Sequence, residues 1–398
     1  MKSSWTRKSR TRLLAAMLLL LPVVSACSLG GGGGEPDVAD IDAPPASVEQ
    51  SMLEQTDEQP SHPSIATVDN AQDGHAVKAG DAAGQAGQAG QVSQEAAGDT
   101  VTVYLLDRNG YVAPMTLRTA AESGGKEKGG DNAAGQTLAE TALSWMIDNP
   151  ERRDQLPPGF SALLPAGTKI NSVVPDAESR SVTIDFAEPL TGLETGKDRK
   201  AIEALVWTMT ELPGTDSVKL TVAGKPLQLL PGSSIPVDAK LTRGIGINVE
   251  AAKDVQTSRA MGVTLYFSAR SAEGEGYFVP VTRLINRQPD RARAALQELI
   301  KGPQDLASLN PVLTTDLIVD QLSTVENTVD LSLKDAGWSP QSPVPAEMMQ
   351  ALVLTMTEAT GAPQVKLAMN GDDTFVDSDS NSYDHPVTRP TAINSLKR

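Results

Sequence analysis

The feature that most constrains this chain is internal duplication. The segment ALVWTMTE, Ala204 to Glu211, recurs as ALVLTMTE, Ala351 to Glu358, and at the same offset VKLTVAG (Val218 to Gly224) pairs with VKLAMNG (Val365 to Gly371). VTIDF from Val182 answers VDLSL from Val329. Upstream, VTVY ending at Tyr104 answers VTLY ending at Tyr266, and Pro114-Met-Thr answers Pro280-Val-Thr. Near the ends of the copies, Thr242-Arg243 with Ile247-Asn248 matches Thr388-Arg389 with Ile393-Asn394. The order is kept throughout, so one unit is written twice, and each copy is long enough to fold as a domain.

Within a copy the apolar period switches between two and 3.6. Thr100 to Leu106 and Val112 to Leu117 are predicted strands joined by a turn at Asn109-Gly110. Thr137 to Ile147 is a predicted helix stopped near Asn149-Pro150, and its counterpart is Asp290 to Ile300, stopped at Gly302-Pro303. Strands over Lys169 to Pro175 and Ser181 to Phe186 follow, then a helix from Lys200 to Leu212 with the stripe Ile202, Leu205, Val206, Met209. That stripe repeats as Met349, Leu352, Val353, Met356. A last strand, Ser217 to Val222, leads to an arm ending at Asn248. The expectation is α+β: two tandem β-β-α-β-β-α-β domains, residues 100–248 and 261–394. Each is a mixed sheet with two helices on one face, and a polar linker over 249–260 joins them.

What precedes the copies reads as an address and a tether. Five basic residues lie ahead of an apolar run from Leu13 to Val24, which ends in Val24-Ser25-Ala26-Cys27. This is the layout of a secretory signal over residues 1–27, too short for a comfortable membrane span. The segment before Cys27 resembles the lipobox of bacterial lipoproteins, which implies that Cys27 carries the lipid and that the chain is anchored outside the cytoplasm. Residues 28–99 are acidic, rich in Gly, Ala and Gln, and without aromatic residues, so they are expected to be a disordered spacer. A flexible coil of that length reaches roughly 45 to 50 Å.

Composition then narrows the function. The net charge of −16 disfavours nucleic acid as a partner. Cys27 is the only cysteine, so no intrachain disulfide can form, and the histidines are His62, His75 and His385. Those counts leave no material for a Cys- or His-based metal site or a His-dependent catalytic relay in a domain core. No cofactor is expected. Asp377-Ser-Asp379-Ser-Asn381 opens like a calcium loop but has Ser382 where Gly is required, and Gly124 to Gly130 lacks the order of a phosphate loop. Asp185 has the neutral Ser332 as its counterpart, so no glycosidase pair is fixed by pattern. Trp145, Trp207 and Trp338 are expected to pack rather than to form a sugar platform. The candidate contact residues are those matched in the arms: Arg243 with Arg389, and Asn248 with Asn394. Each Arg could lock a neighbouring subunit or pin its own arm. Glu211 and Glu358 are either solvated or paired with an arm.

The tandem unit, with its A-L-V-x-T-M-T-E helix, V-K-L-x-x-x-G strand and terminal R-x-x-x-I-N, resembles the GerMN domain. With the lipobox and acidic linker, the layout resembles the GerM-like lipoproteins of sporulation and spore germination. The resemblance covers about residues 100 to 394. It implies a non-enzymatic protein at the mother-cell-derived outer forespore membrane, facing the intermembrane space. There it would help to assemble or stabilise the channel complex between mother cell and forespore, with normal cortex formation and germination depending on it. It implies modules like those that build rings in secretion systems, with protein partners of that complex and self-assembly. Two other functions fit the residues: binding of peptidoglycan or another polysaccharide in a groove between the modules, and a wall hydrolase working through carboxylates.

Overall fold

The computed structural model describes residues 100–118, 131–340 and 342–395. The signal with Cys27, the tether with His62 and His75, and the glycine-rich stretch 124–130 lie outside the described residues. Both copies fall in one compact unit.

The first copy opens with the antiparallel hairpin β1 (Thr100–Leu106) and β2 (Val112–Arg118), in register Val103 with Met115. Helix α1 (Asp131–Met146) and the single turn α2 (Pro150–Arg153), capped by the Asn149 side chain, follow. Strands β3 (Ile170–Asp176) and β4 (Ser181–Phe186) pair antiparallel. Helix α3 (Lys197–Glu211) then crosses over to β5 (Ser217–Val222), which lies parallel to β4, and the short β6 (Lys225–Pro226) closes the sheet in the order β3-β4-β5-β6. A short strand β7 (Glu250–Ala251) leads to the second copy. That copy repeats the plan: hairpin β8 (Ala260–Arg270) and β9 (Gly276–Asn286), helix α4 (Arg291–Lys301), strands β10 (Ile318–Val325) and β11 (Thr328–Lys334), helix α5 (Ala346–Thr360), and strands β12 (Gln364–Met369) and β13 (Val387–Thr388). Its mixed sheet has the order β10-β11-β12-β13, with β11 and β12 parallel.

The α+β class, the tandem copies and the mixed sheets are those expected. The strands of a copy divide into two sheets, however, because the opening hairpin does not pair with the mixed sheet. The second helix explains why. Helix α3 packs on β1 and β2 of the hairpin as well as on β5 of the mixed sheet. Ala201 to Met209 are therefore buried on all sides, not only along the stripe that periodicity shows. Val182, Ile184 and Phe186 of β4 with Val218 and Leu220 of β5 cover one side of this helix layer. Each such side chain contributes roughly 1.5 to 3 kcal/mol.

The segment read as a polar linker is partly structured. Strand β7 lies parallel to β9, and Glu250 pairs with the buried Arg283 at 2.6 Å. Arg283 also pairs with Glu298 at 3.0 Å and donates to the carbonyl of Gly302, so the link is clasped to the second copy from its start.

Candidate functional site

The T-x-T-E end of each long helix organises the joint between the copies. Thr208 and Thr355 are buried and accept the backbone N–H of Tyr104 and Tyr266, at 2.9 and 3.1 Å, which ties each helix to its own hairpin. Two residues on, Thr210 accepts from Arg243 Nε at 2.9 Å and Thr357 accepts from Arg389 Nη1 at 3.1 Å. Glu211 and Glu358 end the row and share the same two cations. Arg243 bonds Glu211 through Nη2 and Glu358 through Nη1, the latter at 2.7 Å. Arg389 lies 3.4 Å from Glu358 and 3.9 Å from Glu211. Tyr104 donates its hydroxyl to Glu211 at 3.2 Å, and Tyr266 accepts from Arg389 at 2.8 Å. Arg243 lies over the face of Trp207, 4.5 Å from its centroid. Where the second helix has Leu354, Arg389 bonds the backbone carbonyl instead.

Beyond the arginines the arms cross. Ile247 of the first arm pairs with Thr282 of the second hairpin: its N–H donates to the Thr282 hydroxyl, and its carbonyl accepts the Thr282 N–H. Ile393 of the second arm makes the same two bonds with Thr116 of the first hairpin. Asn248 then receives Val112 N–H on Oδ1 and donates through Nδ2 to the carbonyls of Val112 and Pro280. Asn394 receives Phe278 N–H and donates to the carbonyls of Phe278 and Pro114. Both asparagines have left-handed backbones, φ 47° and 57°, a conformation that Asn tolerates better than most residues. Each therefore ends its arm and staples β2 to β9 with one side chain. A Cβ at Gly246 would meet the Thr282 side chain at 3.2 Å, so the first arm lies flush against the second hairpin.

The electrostatics follow from burial and pairing. Burial pushes the Glu211 carboxyl up, but Arg243 and Arg389 more than offset it and hold the group below its ordinary value. Burial drives the Tyr104 hydroxyl well up, and Glu211 adds to the effect. Tyr266 is raised to about 12, chiefly by burial. Glu211 therefore keeps its charge and holds no proton ready for transfer at neutral pH. A general acid for sugar cleavage needs a carboxyl pushed up.

The four arm residues singled out in the sequence, Arg243, Arg389, Asn248 and Asn394, all come together at this intrachain joint, with Glu211 and Glu358 paired to the arms. Sequence reasoning missed Tyr104, Tyr266, Thr116 and Thr282 as members. Their signal was present: each is a polar or amphipathic side chain repeated at matched positions within apolar strands. Other candidates lie elsewhere. Asp185 accepts from Thr221, Asn171 and the Gly224 N–H, which hold its carboxyl low. Asp377 is buried and accepts from the N–H groups of Asp379 and Asn381, the Asn381 amide and the Tyr383 hydroxyl, so its oxygens shape their own loop. Trp145 and Trp207 are buried, and Trp338 packs edge-on against Phe375. A cleft of about 500 Å³ runs beside the first arm, lined by Tyr111, Lys200, Glu203 and Asp305 among others. Burial pushes Glu203 up, but it is paired with Arg199 at 2.8 Å. Lys200 bonds the Gly110 carbonyl, and Tyr111 bonds Asp305.

Two copies of one α+β module, interlocked by exchanged arms, define a tandem-module protein. The chain belongs to the Germane family, described as sporulation and spore germination, whose model matches residues 102–228 and 264–374. It is 28% identical over 299 residues to the spore germination protein GerM of Bacillus subtilis (strain 168), covering 74% of this chain and 77% of that one. It also matches the solved structure of the tandem GerMN domains of the sporulation protein GerM from Bacillus subtilis. That match has a TM-score of 0.66 and 27% identity, and covers 74% of this chain and 99% of the other. Among the described residues no helix is long and apolar enough to cross a membrane.

Proposed function

We propose that this sporulation-family protein is a lipid-anchored, non-enzymatic assembly factor. The anchor is the acyl group on Cys27, and residues 28–99 are the tether. The site of action is the mother-cell-derived outer forespore membrane, facing the intermembrane space. There the paired modules help to assemble or stabilise the channel complex through protein partners and self-association, a ring being one form of it. Cortex formation and germination depend on that complex.

One observation carries the reading: the matched charged residues of the two copies are spent on each other. Arg243, Arg389, Glu211 and Glu358 weld two modules into one block. A rigid block presents its outer surfaces at fixed spacing, which suits a scaffold and supplies no reaction centre. Covalent pairing also gives the second module a high effective concentration at a shared assembly. Wall-polymer binding through Trp207 is disfavoured because that side chain is fully buried.

The test is Cys27→Ala. Loss of the anchor should move the protein from the membrane fraction to the soluble one and impair sporulation. Unchanged membrane association with unchanged acylation would refute the anchor.

A further inference from the structure

The two mixed sheets end in outer edges that differ. Strand β3 is the edge of the first and β10 the edge of the second. Natural edges are blunted by proline, charge, bulges or shortness. Strand β3 has Pro175, which offers no N–H, and ends in Asp176. The opposite edges, β6 and β13, are two residues long. Strand β10 has eight residues and no proline, and Thr324 stands where β3 has Pro175, each facing the matched valine of the next strand. Its one charge, Asp320, sits at the β-bulge and is neutralised by Lys334. Ile318 and Val325, at its two ends, are 63% and 53% exposed.

The side-chain order on this edge is self-complementary. With Asp320 bulged out, Ile318, Gln321, Ser323 and Val325 share one face, while Val319, Leu322 and Thr324 share the face of their β11 partners Leu333, Leu331 and Val329. A second β10 laid antiparallel and centred on Leu322 meets it in phase. Ile318 faces Val325, Val319 faces Thr324, Gln321 faces Ser323 and Leu322 faces its own copy. Every pair lies on one face, and the exposed apolar residues cover each other. Strand β3 has no such order, since Pro175 and Asp176 occupy its end.

We propose that β10 is a self-pairing edge, through which two copies of this chain join in one continuous sheet across a twofold axis. The contact is isologous, so it closes on a pair and does not by itself propagate a ring or filament. It names the self-contact that the assembly role leaves open. Because it is read in isolated protein, its failure would leave the Cys27 anchor untouched.

The experiment uses whole chains with Cys27→Ser in detergent, so that an added thiol is the only one. Gln321→Cys and Ser323→Cys chains are mixed and oxidised. Residues opposed across strands lie about 5 Å apart, within disulfide reach. The mixture should give a covalent pair, and each chain alone should not. A pair formed equally well by either chain alone, or by neither chain nor the mixture, overturns the proposal. In the second arm, association is followed by sedimentation. The exposed double substitution Ile318→Lys with Val325→Lys sets like charges opposite each other at both ends and should weaken pairing at least about tenfold. Ile318→Lys with Val325→Glu should restore it. Equal association of both variants would also overturn the assignment.

Discussion

At the joint, the arms and the groups they bond match between the copies: Arg243 with Arg389, Glu211 with Glu358, Tyr104 with Tyr266, Thr116 with Thr282 and Asn248 with Asn394. At the outer edges they diverge, with Pro175 of β3 standing against Thr324 of β10. The hydrogen bonds account for the contrast. A joint residue of one copy bonds the other copy's version of the same motif, so each arm meets the same set of demands. An edge residue faces solvent or a partner and answers to nothing in the other copy. Matching therefore marks the arms and their partners, and mismatch at the outer edges marks surfaces where the copies can do different work.

The largest break is expected from Arg243→Met. It leaves Glu211 and Glu358 enclosed with only the more distant Arg389, and losing one partner of a buried ion pair costs about 3 to 5 kcal/mol. Arg389→Met should cost less, because its ion pairs with Glu211 and Glu358 are longer. Denaturant unfolding reads both, with Arg180→Ala as a control: its ion pair with Asp216 lies at the surface, so the loss should be small. Equal, small losses for all three would mean that the joint is held by packing alone.

Next in size are Asn248→Ala and Asn394→Ala. Each removes three hydrogen bonds and puts a left-handed backbone on a residue that resists it, for about 2 to 3 kcal/mol. If the symmetry is energetic as well as geometric, the two losses agree. A twofold difference between them would show that one arm carries the joint.

The smallest effect concerns acid. The Glu211 carboxyl is held below its ordinary value of 4.5, so its contribution is full above that pH and is lost as pH falls through the lower folded value. Glu211→Gln should lower stability at neutral pH and flatten its fall with acid. A fall as steep as that of the unsubstituted protein would place the acid sensitivity elsewhere, for example at Asp148 or Asp176, whose carboxyls are also held low.

Much was legible without coordinates. Residues three or four apart reveal helices and residues two apart reveal strands, so α3, β4, β5 and their repeats were found to within a few positions. Duplication marked Arg243, Arg389, Asn248 and Asn394 as belonging together by type. The start of α3 at Lys197 was missed. Asp198, in its first turn, is buried and accepts the N–H groups of Gly232 and Ser233, contacts that no local pattern contains.

What only the tertiary structure decided was who meets whom. Glu358 lies 115 residues from Arg243, and Asn394 bonds a carbonyl 280 residues away. Helix, arm and hairpin repeat at different offsets, so no single register in the sequence aligns the two partners of a bond. A polar side chain in an apolar strand announces that it needs a partner, because an unpaired buried group is costly. Which partner it finds depends on how two whole copies pack, and here they pack with their arms exchanged.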